Sequence, residues 1–194
     1  MQHKHHIVFL TGAGISQESG ISTFRDANGL WNNHKIEEVA SPEGFEKNPQ
    51  LVLDFYNARR RQLDEVNPNE AHHLIAKLET KYNVTVITQN IDDLHERAGS
   101  TNVLHLHGEL RKSRSSKNPN LIYDCNQDIK LGDLASDGNQ LRPHIVWFGE
   151  AVTEIEKAIE ITQSADLFVI VGTSMVVHPA ASLLLAVPFD AQTV

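Results

Sequence analysis

A single cysteine, Cys125, stands among 194 residues. That excludes an internal disulfide and any zinc site built from paired cysteines. Basic residues are also few: 17 Lys and Arg against 25 Asp and Glu leave a net charge of −8. This is a poor balance for gripping phosphate backbones, so no nucleic-acid partner is expected. No apolar run approaches the ~20 residues that span a bilayer. Residues 7–10 are too short for the apolar region of a signal peptide. The absences together predict a protein of the cytoplasm with no membrane partner. His3, His5 and His6 carry no weight. What the chain does have is 40% apolar residues, enough to bury a real core within one compact domain.

Five short runs rich in β-branched residues punctuate the sequence, at 7–10, 84–88, 103–106, 144–148 and 167–171. Most are continuously apolar, as strands buried on both faces of a parallel sheet are. Between them lie helical patterns. Ser41-Pro42-Glu43 reads as a cap with proline at the first helical position. Residues 51–66 have helical spacing and stop at Asn67-Pro68, while 69–82 place Leu74, Ile75 and Leu78 on one stripe. A further helix at 153–164 presents Ile155, Ala158, Ile159 and Ile161. The alternation predicts an α/β fold with a doubly wound parallel sheet. Residues 111–143 are polar and loop-like, and read as a smaller irregular lobe with Leu121, Ile122 and Tyr123 as its anchors. Residues 188–194 read as a loop entering another strand, so the chain is expected to be cut short.

Every run ends in residues suited to a site, and open parallel sheets bind ligands beyond the carboxyl ends of their strands. Gly12-Ala13-Gly14-Ile15-Ser16 resembles a phosphate turn, although Gln17 replaces the third glycine of the dehydrogenase fingerprint. Gln89, Asn90 and Asp92 suit either a ribose and carboxamide or a helix cap. His105 and His107 alternate on one strand face. One of them could act as a general base near neutral pH, both with Asp92 could bind a metal, or both could be buried core histidines. Tyr56 and Arg59 share a helix face, and could clamp a carboxylate. The run Arg59-Arg60-Arg61 more commonly marks a solvated surface.

Taken together, Gly12-Ala13-Gly14-Ile15-Ser16, Thr23-Phe24-Arg25-Asp26, Thr88-Gln89-Asn90-Ile91-Asp92, His107-Gly108, Phe148-Gly149-Glu150 and Gly172-Thr173-Ser174 resemble the sirtuin family of NAD-dependent protein deacylases. The resemblance spans nearly the whole chain. It implies one domain, 1–194, with a Rossmann-like core at 1–30, 84–110 and 144–194, a helical module at 31–83 and the small lobe at 111–143. It implies NAD as cofactor. Gly12, Ala13, Gly14 and Ser16 would line its pyrophosphate and ribose region, and Phe24, Arg25 and Asp26 would form a closing loop. Gln89, Asn90, Ile91 and Asp92 would serve the ribose and carboxamide, and Gly172, Thr173 and Ser174 the adenosine half. His107 would be the catalytic base, and Trp147, Phe148 and Gly149 would flank the acyl-lysine tunnel. The implied products are nicotinamide, free lysine and O-acyl-ADP-ribose.

Tyr56-Asn57-Ala58-Arg59 resembles the branch that accepts succinyl- and malonyl-lysine. The four-cysteine zinc ribbon of many sirtuins has no counterpart, since only Cys125 lies between the His-Gly and Phe-Gly-Glu motifs, so no structural zinc is predicted. The family continues beyond Val194, where further adenosine-site residues are expected. A monomer acting on acyl-lysine segments of proteins is the expected form. Two other classes remain open: a metal-dependent hydrolase built on His105, His107 and Asp92, and a non-catalytic module that binds NAD or ADP-ribose.

Overall fold

The structure, a computed structural model, describes residues 5–22, 30–31 and 34–194. Strand β1 (His6–Thr11) runs into a 3-10 turn, Ala13–Ser16. Two short strands, β2 (Leu30–Trp31) and β3 (His34–Lys35), pair antiparallel. Helices α1 (Ile36–Val39), α2 (Pro42–Lys47), α3 (Pro49–Glu65) and α4 (Glu70–Leu78) follow. The chain continues through β4 (Asn83–Thr88), α5 (Leu94–Ala98), β5 (Val103–His105), β6 (Gly108–Ser115), β7 (Ile122–Asp124) and β8 (Leu141–Ile145). It closes with α6 (Ile155–Gln163), β9 (Leu167–Val171), a second 3-10 segment (Ala180–Ala186) and β10 (Gln192–Thr193).

The main sheet has the order β10-β9-β1-β4-β5, with every pairing parallel. Its continuous apolar strands feed two cores, because alternate side chains leave opposite faces. Val8, Leu10, Ile87 and Phe168 pack on one face with Ala158 of α6. Ile7, Phe9, Val84 and Val86 pack on the other with Ile75 of α4. The chain crosses to β4 and β5 on one side of β1 and to β9 and β10 on the other, so the strand order reverses between β1 and β9. In doubly wound sheets that reversal opens the binding crevice.

The helix starts follow the sequence signals. Ser41 caps α2 by accepting the Gly44 N–H at 2.9 Å, with Pro42 at the first helical position. Asn48 and Pro49 start α3 in the same way, and α3 ends ahead of Pro68. On α4 the expected stripe is corrected: Leu74 is 51% exposed, and the buried side chains are His72 and Ile75.

Two other expectations are corrected. The run 144–148 does not join the parallel sheet. Its first residues close β8, which pairs antiparallel with β6 in the separate sheet β7-β6-β8. Pro143 is tolerated there because β8 is an edge strand. The lobe is thus built on a small sheet rather than being irregular. Its anchors are Ile129 and Ala135, both buried, while Ile122 is exposed.

What ties the lobe down is the polar side of α3. Asn57 donates from Nδ2 to the Ile129 carbonyl and accepts the Ile129 N–H at Oδ1, each at 2.9 Å. Arg60, buried, donates to the carbonyls of Leu110 at 2.7 Å and Gln127 at 3.2 Å. Arg59 and Arg60 therefore do not form the solvated face expected of the Arg59-Arg60-Arg61 run; Arg61 alone is exposed, and it pairs with Asp128.

Two predictions follow from this packing. Asn57→Ala leaves both polar groups of Ile129 without partners, and should lower the unfolding free energy by about 2–3 kcal/mol in urea titrations. His72 and His95 are fully buried edge to face, with ring centroids 4.9 Å apart. Burial lowers their pKa values from 6.5 to about 4 and about 3. As pH falls below 6.5 the unfolded chain takes up protons that these folded rings refuse. Stability should then fall between pH 6.5 and 4 by up to about 1.4 kcal/mol per pH unit for each ring. Urea midpoints at a series of pH values read this directly.

Candidate active site

The reversal between β1 and β9 is closed by backbone. Gly12 N–H donates to the Val171 carbonyl at 3.0 Å, and Gly14 N–H donates to the Gly172 carbonyl at 2.8 Å. A Cβ on Gly14 would stand 2.8 Å from the Gly172 Cα, and one on Gly172 would strike the Ile15 nitrogen. Gly172 also holds φ at +66°, a conformation that side chains disfavour. Only glycines allow the two turns to touch in this way. The Ala13 N–H, at the start of the 3-10 turn, donates to no described residue.

Above this cradle lies a cavity of about 680 Å³, within the range of small-molecule sites. Gly12, Ala13, Gly14, Ser16, Gln89, Asn90, Ile91, Asp92, His107, Gly172, Thr173 and Ser174 all line it, as do Tyr56, Trp147, Phe148 and Gly149. The expected residues are thus brought together, with two exceptions. Phe24, Arg25 and Asp26 lie outside the described residues. Arg59 lines a smaller side cavity of about 50 Å³, which shares Ile21, Ser22, Trp31, Ile91 and Asp92 with the large one.

Hydrogen bonds fix the loop after β4. Asn90 Nδ2 donates to the Gly12 carbonyl at 3.2 Å and to Ser16 Oγ at 3.1 Å. Ser16 Oγ donates to Asp92 Oδ2 at 3.0 Å, and Gln89 Nε2 donates to Thr173 Oγ1 at 2.9 Å. Burial pushes the Asp92 carboxyl above its ordinary value, against the Leu94 N–H and Ser16 hydroxyl that favour the charged form.

His107 Nδ1 lies 3.0 Å from the Gln89 carbonyl. A carbonyl only accepts, so Nδ1 carries the hydrogen and Nε2 keeps its lone pair. Burial lowers the pKa of His107, outweighing the Gln89 bond, and the ring is neutral near pH 7. The expected shared strand face is corrected, because β5 ends at His105 and His107 lies beyond it; His105 Nδ1 meets the Asn90 carbonyl at 2.9 Å and Nε2 meets Glu96 Oε1 at 2.7 Å. With both nitrogens engaged it has no lone pair for a metal. No group of three or more His, Cys, Asp or Glu able to hold a metal occurs among the described residues. The expected alternative of a His105, His107 and Asp92 metal centre is therefore not assembled.

Trp147 forms the opposite wall. Its Nε1 donates to the Tyr56 hydroxyl at 3.0 Å, and Arg142 lies over its ring with Cζ 3.2 Å from the centroid. Glu150 accepts from the Trp147 N–H at 2.8 Å and from both Arg142 and Arg114. The Phe148 N–H donates to the Ala40 carbonyl at 3.0 Å. Sequence reasoning missed Trp31, Val152, Val177, His178 and Pro179 as lining residues. It also missed Arg142, a charged residue in β8 beside Pro143 and His144.

Comparison with known proteins agrees with this geometry. The chain is 64% identical over 178 residues to an NAD-dependent protein deacylase of Helicobacter pylori, covering 92% of this chain and 78% of that protein. It is 58% identical over 193 residues to an NAD-dependent protein deacylase of Bacteroides thetaiotaomicron, covering 96% and 82%. The crystal structure of a Sir2 homologue bound to NAD superposes with a TM-score of 0.88 at 42% identity, over 98% of this chain and 77% of that one. A Sir2 complex with an inhibitor, 2′-O-acetyl-ADP-ribose and a deacetylated peptide gives 0.78 at 35% identity, over 96% and 78%. Residues 12–179 match the Sir2 family, and the chain belongs to it.

Proposed function

We propose that this protein is an NAD-dependent protein-lysine deacylase that releases nicotinamide and O-acyl-ADP-ribose. The observation that carries the reading is His107: a neutral ring, its tautomer fixed by the Gln89 carbonyl, in a cavity that extends from the glycine cradle to Trp147 and Phe148. The residues present fit NAD. The glycines let the two turns meet as bare backbone beneath the cavity, and the Ala13 N–H, which donates to no described residue, can meet an anion there. Gln89, Asn90 and Asp92 supply polar groups for the ribose and carboxamide. When bound, NAD supplies an activated ribose carbon and nicotinamide as leaving group. His107 Nε2 then accepts a proton from a ribose hydroxyl. Trp147, Phe148 and Gly149 flank the acyl-lysine, and the cavity walls limit its contact with water.

The preferred acyl group, we infer, includes succinyl and malonyl. Arg59 is buried, stacked on Phe55 with Cζ 3.3 Å from the ring centroid, and bonded at Nη1 to the Phe55 carbonyl. Its Nη2 is buried with no partner among the described residues. Burial lowers its pKa to about 10, so it remains charged near pH 7. An unpaired buried guanidinium nitrogen favours an incoming carboxylate. Tyr56 stays a neutral phenol, since burial raises its pKa, and its hydroxyl hydrogen can orient the same group.

Residues 1–194 form one unit with a core at 1–30, 84–110 and 144–194, a helical module at 31–83 and a lobe at 111–143. The protein works as a cytoplasmic monomer on acyl-lysine segments, without nucleic acid, membrane or structural zinc. Among the described residues no helix is long and apolar enough to cross a membrane.

Mass spectrometry with NAD and a mixture of acetyl- and succinyl-lysine peptides tests the reaction. Acyl loss matched by O-acyl-ADP-ribose is expected, and hydrolysis without NAD would refute the reading. His107→Ala should reduce turnover by about 10²–10⁴-fold. Because only the neutral ring accepts a proton, activity should rise with pH with its midpoint below the ordinary histidine value of about 6.5. Arg59→Met should depress desuccinylation at least about tenfold more than deacetylation; equal losses would remove the carboxylate clamp and leave the deacylase.

A further inference from the structure

His105 is two residues from the base and has no part in the reaction described. Its Nδ1 faces the Asn90 carbonyl and its Nε2 faces Glu96 Oε1, at 2.9 and 2.7 Å. Neither oxygen can donate. Burial opposes ionisation of Glu96, yet the hydrogen bond and charge of His105 hold it below the ordinary carboxylate range. Both ring nitrogens must therefore carry hydrogens. His105 is an imidazolium, with its side chain 8% exposed. Burial alone would lower its pKa, and Glu96 overrides that and raises it. The other charged groups near the ring are Glu109 of β6 and Asp92.

We propose that His105 is a positioning residue for NAD: as a buried imidazolium paired with Glu96, it fixes Asn90 and, through Asn90, the glycine turn that receives the dinucleotide. Asn90 is held at three points. Its carbonyl accepts the His105 Nδ1–H, its N–H donates to Thr88 Oγ1 at 3.1 Å, and its amide donates to the Gly12 carbonyl and Ser16 Oγ. Gln89, one residue earlier, is gripped at its carbonyl by His107. His105 at the end of β5 and His107 just beyond it thus clamp successive carbonyls of one loop. A neutral His105 ring would turn a lone pair toward either Asn90 or Glu96 and lose one of its two bonds. The imidazolium also favours the ionised form of Asp92, offsetting part of its burial.

This inference rests on the NAD reading above, and the test separates the two. Nitrogen NMR of the full chain at pH 7.5 should show both His105 ring nitrogens protonated, the signals being identified by their loss in His105→Gln. In Glu96→Gln the ring should become neutral at that pH. Calorimetric titration with NAD should show affinity falling about tenfold in Glu96→Gln and at least as much in His105→Gln. The KM for acyl-lysine peptide should stay within about twofold, a split that general loosening of the fold would not produce. Glu96 has a half-exposed side chain, and its variant carries the test if His105→Gln fails to fold. A neutral His105 in the wild type overturns the proposal. So does a Glu96→Gln protein whose ring is neutral and whose NAD affinity is unchanged. Wild-type protein that binds NAD without deacylating would refute the deacylase and leave this assignment standing; wild-type protein that does not bind NAD would overturn both.

Discussion

The turns that leave β1 and β9 press backbone against backbone, and the floor of the cavity depends on that contact. Gly14 N–H donates to the Gly172 carbonyl at 2.8 Å, with no side chain between the two turns. Parallel strands 1 and 9 are neighbours in the sheet, yet the chain connecting them runs through all the helices and the small lobe. Their turns diverge only because the connections go to opposite sides of β1. The crevice is therefore a consequence of topology, and the glycines set how deep it is. A methyl group on either turn would separate them and displace the Asn90 amide, which bridges Gly12 and Ser16.

The small lobe is held in place by different means. Its attachments are polar: Asn57 pairs with both backbone groups of Ile129, and Arg60 spans from Leu110 to Gln127. Buried groups of this kind contribute modest net stability when satisfied and are costly when broken. They therefore fix geometry more than they drive folding. The same holds at the wall, where Glu150 gathers Arg114, Arg142 and the Trp147 N–H. Trp147 is held at its backbone, its ring face and its indole nitrogen at once. A large aromatic surface can face the cavity without collapsing into it.

Much of this was legible in the sequence because the signals were local. Continuous apolar runs located β1, β4, β5 and β9, the cap at Ser41-Pro42 located α2, and helical spacing located α3. The polar strand ends gathered the cavity residues correctly. The failures share a different cause. The run 144–148 looks like a core strand, but its pairing with β6 is a long-range choice that no local pattern encodes. Arg59 and Arg60 look like surface residues, and only partners as distant in sequence as Gln127 make the burial of Arg60 tolerable. Leu74 fits a helical stripe by period, yet His72 occupies the buried position because His95 lies opposite it. Polar burial depends on tertiary partners, and a single sequence does not show them.

The pair His105 and His107 shows how far that dependence reaches. Sequence places both on one face of one strand, and the structure gives both an Nδ1 bond to a loop carbonyl. They differ in what meets the second nitrogen. Beside His105 stands Glu96, so burial is overcome and the ring is charged. Among the described residues no carboxylate bonds to His107, so burial prevails and the ring stays neutral, with its Nε2 lone pair free of the loop. One residue of α5 thus decides which histidine can accept a proton and which can only hold. Had the carboxylate faced His107, that ring would be protonated and could not accept a proton. The division of labour is electrostatic, and it is set by a side chain that does not line the cavity.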